Sequence, residues 1–336
     1  FEAFKNNQNG LGSNVIIGYQ AAYLQTSGQA TNAVAIGYRA AGGMGNPYNS
    51  ISIGYEAGRS CTNGYEVVFI GTQAGRNTDT NYQVFVGTRA GQNSTAQRGV
   101  AIGHQAGQNM TGNNSIAIGY EANKSNTATG MVSVGSQAGY SNTSGTKNTN
   151  IGYEAGYSNT INTSNTNVGY EAGYSAIGAQ NTFIGSESGK NNVRNGAVSN
   201  TALGYYALRG GASSQARECT AIGSGAASNV TSAYDSIFIG KGAASSFTSG
   251  GNVIVIGYNA QASSATATNE ITLGNASNNL LRIPGLGSTD GHVLTYSSAS
   301  GGIVLAAAGG GGASDLNGLS DCLVDTASLY VGEVPS

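Results

Sequence analysis

Glutamates recur two residues after a repeated glycine, which we take as position 0 of each repeat: Glu56, Glu121, Glu154, Glu171 and Glu187. The last three belong to consecutive repeats, so like charges would stack about 5 Å apart if each repeat contributes one β-strand. Carboxylates in such a column could bind a cation, or a pair could hydrolyse a glycosidic bond. A third interpretation is a solvated column partnered by Lys147, Lys190 or Arg194. Catalysis needs a pocket that raises one pKa, and a repeating outer column offers none. We therefore expect the solvated column and no enzyme, and a bound cation stays open.

Tyrosines form a second column. Tyr140, Tyr157 and Tyr174 lie five residues after the glycine in three consecutive repeats, within a corner of variable length. Tyrosine among Ser, Gly and Asn suits adaptable surface recognition. We name these three tyrosines as candidate recognition residues, and structural stacking of their rings is the alternative.

The other reactive residues are few and far apart. Three cysteines, Cys61, Cys219 and Cys322, have no metal-binding or disulfide spacing. Neither His104 nor His292 lies at triad spacing from a Ser and an Asp. The glycine-rich segments lack the strand-then-helix context of a phosphate loop. We expect no catalytic residue, no metal and no cofactor.

Composition excludes several classes of protein. Only 9% of the 336 residues are charged and the formal net charge is −2, which is unsuited to electrostatic binding of nucleic acid. No run of about 18 apolar residues exists, so no helical membrane insertion is expected. A hydrophobic content of 39% with little charge argues against simple disorder. The chain starts at Phe1 without a signal peptide, and we expect it to be part of a longer protein.

The dominant feature is an internal repeat of sixteen copies, spaced 16, 17 or 19 residues apart. Position −1 is always Ile, Val or Leu, position −3 is always Val, Ile or Thr, and position +3 is Ala in fourteen copies. β-Branched residues favour a strand, and the glycine permits a tight corner. The pattern predicts a β-solenoid in which each repeat forms one rung. The glycines are Gly18, Gly37, Gly54, Gly71, Gly87, Gly103, Gly119, Gly135, Gly152, Gly169, Gly185, Gly204, Gly223, Gly240, Gly257 and Gly274.

Side chains alternate along a strand, so positions −3 and −1 share one face and position −2 points to the other. We expect −3 and −1 to line the interior. Position −2 is nevertheless apolar in eleven copies, and a strand apolar on both faces needs cover on both. We therefore predict that position −2 meets partner chains. The predicted interface residues are Ile16, Phe69, Phe85, Phe183, Phe238 and Val255.

The runs Val-Ala-Ile-Gly-Tyr-Arg-Ala at residues 34–40 and Ile-Ala-Ile-Gly-Tyr-Glu-Ala at 116–122 resemble the head repeat of trimeric autotransporter adhesins. That family implies a left-handed parallel β-roll in which three chains pack about the fibre axis. Residues 280–296 and 315–321 are similar to connector modules in tail-fibre proteins of tailed bacteriophages, and such fibres also carry Ile-Gly-Tyr-x-Ala rungs.

Four segments follow from the pattern: an N-terminal cap at 1–13, the roll at 14–278, a small β cap at 279–308, and a Gly-rich linker with the start of a further module at 309–336. Within the cap, residues 292–297 and 303–307 are predicted to pair as a hairpin.

These features predict an extracellular, homotrimeric structural and attachment segment of a bacteriophage tail fibre. The head of a bacterial trimeric adhesin, on the cell surface, is the alternative. Its partners would be its own copies, other fibre or virion proteins and a host surface glycan or protein. Corners vary in length while the core repeats, so corners are the expected contact sites. The longest are at residues 23–27, 191–195 and 209–213.

Overall fold

The computed structural model describes residues 12–23, 31–79, 81–193, 196–211 and 214–278, and the backbone of 292–297 and 302–307. The chain divides into two units, Phe1–Ser277 and Asn278–Ser336. Every regular element in the described ranges is a β-strand.

The first unit is a β-solenoid of about fifteen turns, because sixteen strands form one parallel sheet in which each rung pairs with the next. Register is kept from rung to rung: Val15 pairs with Val34, and Ile17 with Ile36. Fifteen strand spacings give a sheet about 70 Å long. Its strands are β1 (Val15–Ile17), β2 (Val34–Ile36), β3 (Ile51–Ile53), β4 (Val68–Ile70), β5 (Val84–Val86), β6 (Val100–Ile102), β7 (Ile116–Ile118), β8 (Val132–Val134), β9 (Thr149–Ile151), β10 (Thr166–Val168), β11 (Thr182–Ile184), β12 (Thr201–Leu203), β14 (Thr220–Ile222), β16 (Ile237–Ile239), β18 (Val253–Ile256) and β19 (Glu270–Leu273).

The repeat glycine follows each strand and has a positive φ that residues with a side chain rarely adopt. Gly87 has φ +129°, and a methyl group there would lie 2.7 Å from the carbonyl oxygen of Gly103 on the next rung. Both the conformation and the close approach require glycine. The prediction of a tight glycine corner is confirmed, and the small residue at +3 packs inside it: Ala90 and Ser188 are fully buried.

The two strand faces are the reverse of the prediction. Position −2 forms the core of the single chain, and its side chains are buried in every rung except the end strands β1 and β19. Of the predicted interface residues, Phe69, Phe85, Phe183, Phe238 and Val255 are 0% exposed within one chain, and Ile16 is half-buried. The prediction that these side chains point outward to partner chains is therefore wrong.

The physical reason lies across the interior, at position +4. Phe69, Phe85 and Phe183 each lie against a glycine at +4 of the same rung, where an added methyl group would overlap the ring. In two rungs with alanine at −2, a larger buried residue occupies +4: Leu208 where −2 is Ala202, and Asn123 where −2 is Ala117. In the Ala101 rung, +4 is Gly107, and the side chain of Met110 lies beside that glycine. The narrow interior is filled by complementary sizes, and −2 and +4 are the two columns that meet there.

The middle of the roll carries a buried amide ladder at position −4. The backbone N–H of Asn181 donates to Asn165 Oδ1 at 2.9 Å, and that of Asn200 donates to Asn181 Oδ1 at 3.0 Å. The Nδ2 of Asn181 donates to the carbonyl of Ala197 at 2.9 Å. Each side chain thus satisfies backbone groups that the corner leaves unpaired, which makes its burial tolerable.

Two smaller sheets complete the described structure. Strands β13 (Gln215–Arg217), β15 (Ser232–Tyr234) and β17 (Ser249–Gly251) form a second parallel sheet over the last rungs. In the second unit, β20 (His292–Ser297) pairs antiparallel with β21 (Gly302–Ala307), with His292 opposite Ala307. The predicted hairpin is confirmed, and its second strand begins one residue earlier than expected.

Candidate functional site

The most extensive surface feature is an outward row of aliphatic side chains. We call it the aliphatic face: the side chains at positions −3 and −1 of the sixteen strands. All are half-buried or exposed, with Ile102 at 38% and Leu273 at 57%. The row contains Val, Ile, Leu and five threonines, and no charged residue. An uncharged and largely apolar surface of this length is typical of an interaction site.

In the repeats that have tyrosine at position +1, this tyrosine directly follows the glycine that ends the strand of the aliphatic face. Tyr19, Tyr38 and Tyr55 stack with ring centroids 5.6 and 5.3 Å apart. Tyr153 stacks on Tyr170 at 5.3 Å. Tyr19, Tyr55, Tyr153 and Tyr170 are about half exposed, and Tyr38 is half-buried, so the column adds aromatic area at the end of the strands.

The predicted recognition tyrosines do form one column. Tyr157 lies 5.2 Å from Tyr140 and 5.1 Å from Tyr174, with planes within 8° of parallel. Lys124 Nζ lies 5.8 Å from the Tyr140 centroid and Lys190 Nζ lies 6.0 Å from that of Tyr174. Burial raises the pKa of Tyr157 above its usual 10.0. Rings stacked on rings, with a cation over each end, leave mainly edges and hydroxyls for a ligand. A recognition role for the column stays a prediction.

Within the described ranges, four of the five glutamates at +2, all but Glu154, form ion pairs with basic side chains. Glu121 pairs with Lys124 at 2.5 Å, and Glu56 with Arg59 at 2.6 Å. Lys190 bridges Glu171 and Glu187, and Arg209 Nε lies 3.0 Å from Glu187. Lys190 was a predicted partner, whereas Lys147 lies in a different column at −5 and Arg194 is outside the described residues.

Electrostatics in this column favour the charged forms. Burial opposes ionisation of Glu121, but hydrogen bonds from Lys124 and Gln137 outweigh it and hold its pKa below 4.5. Burial likewise opposes the charge on Lys190, but its bonds to Glu171 and Glu187 raise its pKa above 10.5. Glu154 accepts a hydrogen bond from the Tyr153 hydroxyl, which raises the pKa of Tyr153. Glu121 and Lys190 therefore stay ionised near neutral pH, and a glutamate that is ionised at that pH is a poor proton donor.

The first rungs carry a groove that was not predicted from the sequence. It has a volume of about 570 Å3 and is lined by Thr31, Asn46, Tyr48, Asn63, Tyr65 and Asn81. The signal was present: Asn46 and Tyr48 recur as Asn63 and Tyr65 after 17 residues, at positions −8 and −6. Aromatic rings and amides are thereby placed side by side on successive rungs.

The three predicted corner sites at 23–27, 191–195 and 209–213 lie partly outside the described residues. In the described part of the chain, no three His, Cys, Asp or Glu residues cluster as metal ligands would. The same residues contain no helix of a length and apolarity that could cross a membrane. Neither the protein-family models nor the curated proteins compared with this sequence give a match.

Proposed function

We propose that this chain is a homotrimeric structural and attachment segment of an extracellular fibre, specifically a bacteriophage tail fibre that contacts a host cell surface. The observation that supports this most is the aliphatic face, which continues along all sixteen strands of the roll. Each rung repeats the same outward pair of side chains, so the surface is a stripe parallel to the long axis.

Self-association explains this stripe better than exposure to water does. Each copy already buries its own core at −2, so the part of the outward aliphatic side chains that stays exposed adds nothing to folding of the single chain. Packed against other copies, they would contribute at about 25 cal/mol per Å2 of apolar surface removed from water. A side-by-side assembly about one axis places identical stripes together, which fits a closed symmetric oligomer.

The number of copies and the source are taken from the resemblance of the repeats. Aliphatic-x-aliphatic-Gly-Tyr-x-Ala rungs resemble those of trimeric adhesin heads, and the segments at 280–296 and 315–321 resemble phage tail-fibre connectors. The second feature favours the phage fibre. The head of a bacterial trimeric adhesin is the second candidate, supported by the rungs alone.

We further propose that the segment does not catalyse hydrolysis, since Glu56, Glu121, Glu171 and Glu187 pair with basic side chains and leave Glu154, among the described residues, as the one unpaired carboxylate of the five in the column. Incubated with host surface polysaccharide, it should release no reducing ends. Release by the wild-type chain, abolished by Glu154→Gln, would show that the glutamate column is catalytic.

The attachment proposal is tested on native material. Antibodies raised against this chain, imaged by immunogold electron microscopy, should label the tail fibres of phage particles, and the purified chain should coat host cells. Label on a bacterial outer surface would support the adhesin head instead. Label on neither, with no cell binding, would contradict both candidates.

A further inference from the structure

The groove on the first rungs has the composition of a sugar-binding site. We propose that the groove lined by Asn46, Tyr48, Asn63, Tyr65 and Asn81 binds a neutral glycan chain that lies along the fibre axis. This inference rests on the proposed attachment function, because it names the chemistry of the surface to which the fibre attaches.

The aromatic part of the groove changes orientation along the roll. Tyr48 and Tyr65 are stacked, with centroids 5.2 Å apart and planes within 5°. Tyr82 is 5.7 Å from Tyr65 but turned by 81°. The turn arises because Tyr82 stands at position −5 with a left-handed φ of 61°, whereas Tyr65 stands at −6. Face-to-face stacking therefore ends at Tyr65. Tyr82 does not line the groove itself, but it adjoins Tyr65 and is 49% exposed, so its ring extends the aromatic surface beside the groove.

The amides beside these rings are held in place. The backbone N–H of Tyr65 donates to Asn81 Oδ1 at 3.2 Å, and Asn63 Nδ2 donates to Asp79 Oδ1 at 2.8 Å. An amide can both donate and accept, which suits sugar hydroxyls, and an aromatic ring suits the C–H face of a pyranose. Groups fixed before binding lose little entropy when a ligand arrives.

Charge around the groove selects against anionic ligands. Its lining contains no lysine or arginine. Glu66 accepts a hydrogen bond from the Tyr65 hydroxyl, and Asp79 accepts from Asn63 and Thr62. Two carboxylates at the margins would repel uronate, sulfate or phosphate groups, whereas a neutral chain carries no such penalty.

The dimensions fit an oligosaccharide better than a single sugar. The lining residues come from successive rungs about 4.8 Å apart, so the groove extends along the axis. Its volume of about 570 Å3 is within the usual range for ligand sites. Repeated copies in one fibre would strengthen a weak contact by avidity.

The test uses the assembled chain on an array of neutral, sialylated and sulfated glycans, followed by calorimetry with the best neutral oligosaccharide. Tyr65→Ala should weaken binding about tenfold, because it removes the ring that lines the middle of the groove and that contacts both Tyr48 and Tyr82. Tyr65→Phe should bind within about twofold of wild type, since the ring remains. The matched control is Tyr153→Ala, because Tyr153 also stacks on a tyrosine and donates to the following glutamate.

Three results would overturn the proposal: binding only to anionic glycans, no glycan binding, or equal loss for Tyr65→Ala and Tyr153→Ala. Thermal unfolding of each variant separates loss of the site from loss of the fold. If wild type and Tyr65→Ala coat host cells equally, the groove is not the receptor site but the attachment function stands. If the wild-type chain does not bind host cells at all, the proposed attachment function is wrong.

Discussion

At the scale of single residues, the repeat glycine and the ion pairs make separable contributions. Gly87 is required by its φ of +129° and by the approach of the Gly103 carbonyl, which lies where a methyl group would be. Lys190 is required only for charge, since it bridges two carboxylates at the surface of the roll. These roles differ in size and in pH dependence.

Gly87→Ala should destabilise the roll by at least about 2 kcal/mol more than Gly130→Ala. Gly130 also has positive φ, +70°, but a methyl group there would meet nothing within 4 Å. Gly130→Ala should therefore lower the free energy of unfolding only by the cost of placing alanine at positive φ, about 1 kcal/mol. Denaturant unfolding at equal chain concentration measures both, and equal losses would contradict the close approach of rungs.

Lys190→Met should cost about 0.5–1 kcal/mol at pH 7. Burial opposes ionisation of Glu187, but Lys190 and Arg209 hold its pKa below 4.5. A carboxyl with a lowered folded pKa adds stability that disappears as the pH falls through that folded value. The raised pKa of Lys190 adds stability that is lost as the pH rises beyond 10.5.

The cost of Lys190→Met should therefore shrink below pH 4.5 and again above pH 10.5. The free energies of unfolding of the wild type and of Lys190→Met, measured across this pH range, check this prediction. Lys147→Met is the control, because Lys147 is exposed at −5, in a different column from the glutamates. A cost for Lys190→Met that does not change with pH would contradict the ion-pair account.

At the scale of the rung, the sheet and its register were readable from the sequence, but the inner face was not. The β-branched residues at −3 and the glycine at 0 gave the strand and its corner correctly. Both strand faces are apolar, so alternation alone could not identify the interior. The signal that could have identified the interior was a size match between columns: position +4 is glycine in three of the four rungs with phenylalanine at −2, as in Phe69 with Gly75.

Two further features depend on relations between rungs. The amide ladder requires asparagine at position −4 in successive rungs, as at Asn165 and Asn181. This pattern is hard to recognise in the sequence, because asparagine is common throughout the chain. The groove needs Tyr48 and Tyr65 to lie beside Asn46 and Asn63, which requires knowledge of the stacking. The hairpin at residues 292–307 was predictable because its strand and turn signals are local.

The match between −2 and +4 can be measured with a double-mutant cycle. Phe69→Ala should cost about 3–5 kcal/mol through the cavity it leaves. Gly75→Ala should also destabilise, because its methyl group overlaps the Phe69 ring. The double variant has alanine at both −2 and +4. The second rung already has this combination in Ala35 and Ala41, and Ala41 has a φ of +52°.

The double variant should therefore lose at least about 1 kcal/mol less than the two single losses added together. Chemical unfolding of the four proteins gives this coupling energy. Additive losses would show that the two positions do not share the interior.

At the scale of the whole molecule, the single chain buries its own core at −2, and we propose that copies associate through the aliphatic face. Three copies with a net charge of −2 each repel little, so attachment and assembly should depend only weakly on salt. Substitutions on the face should thus alter assembly, and those in the core should alter folding.

The most direct test is the mass of the chain in solution by sedimentation equilibrium. The wild type should give three times the chain mass of 33.6 kDa. The double variant Ile102→Asp with Ile118→Asp should sediment as a monomer that keeps its β-sheet circular dichroism, because charge on the face opposes burial. Ile161→Asp is the control, since Ile161 is 63% exposed in a corner away from the face, and it should remain trimeric. A monomeric wild type, or a double variant that stays trimeric, would contradict the central claim.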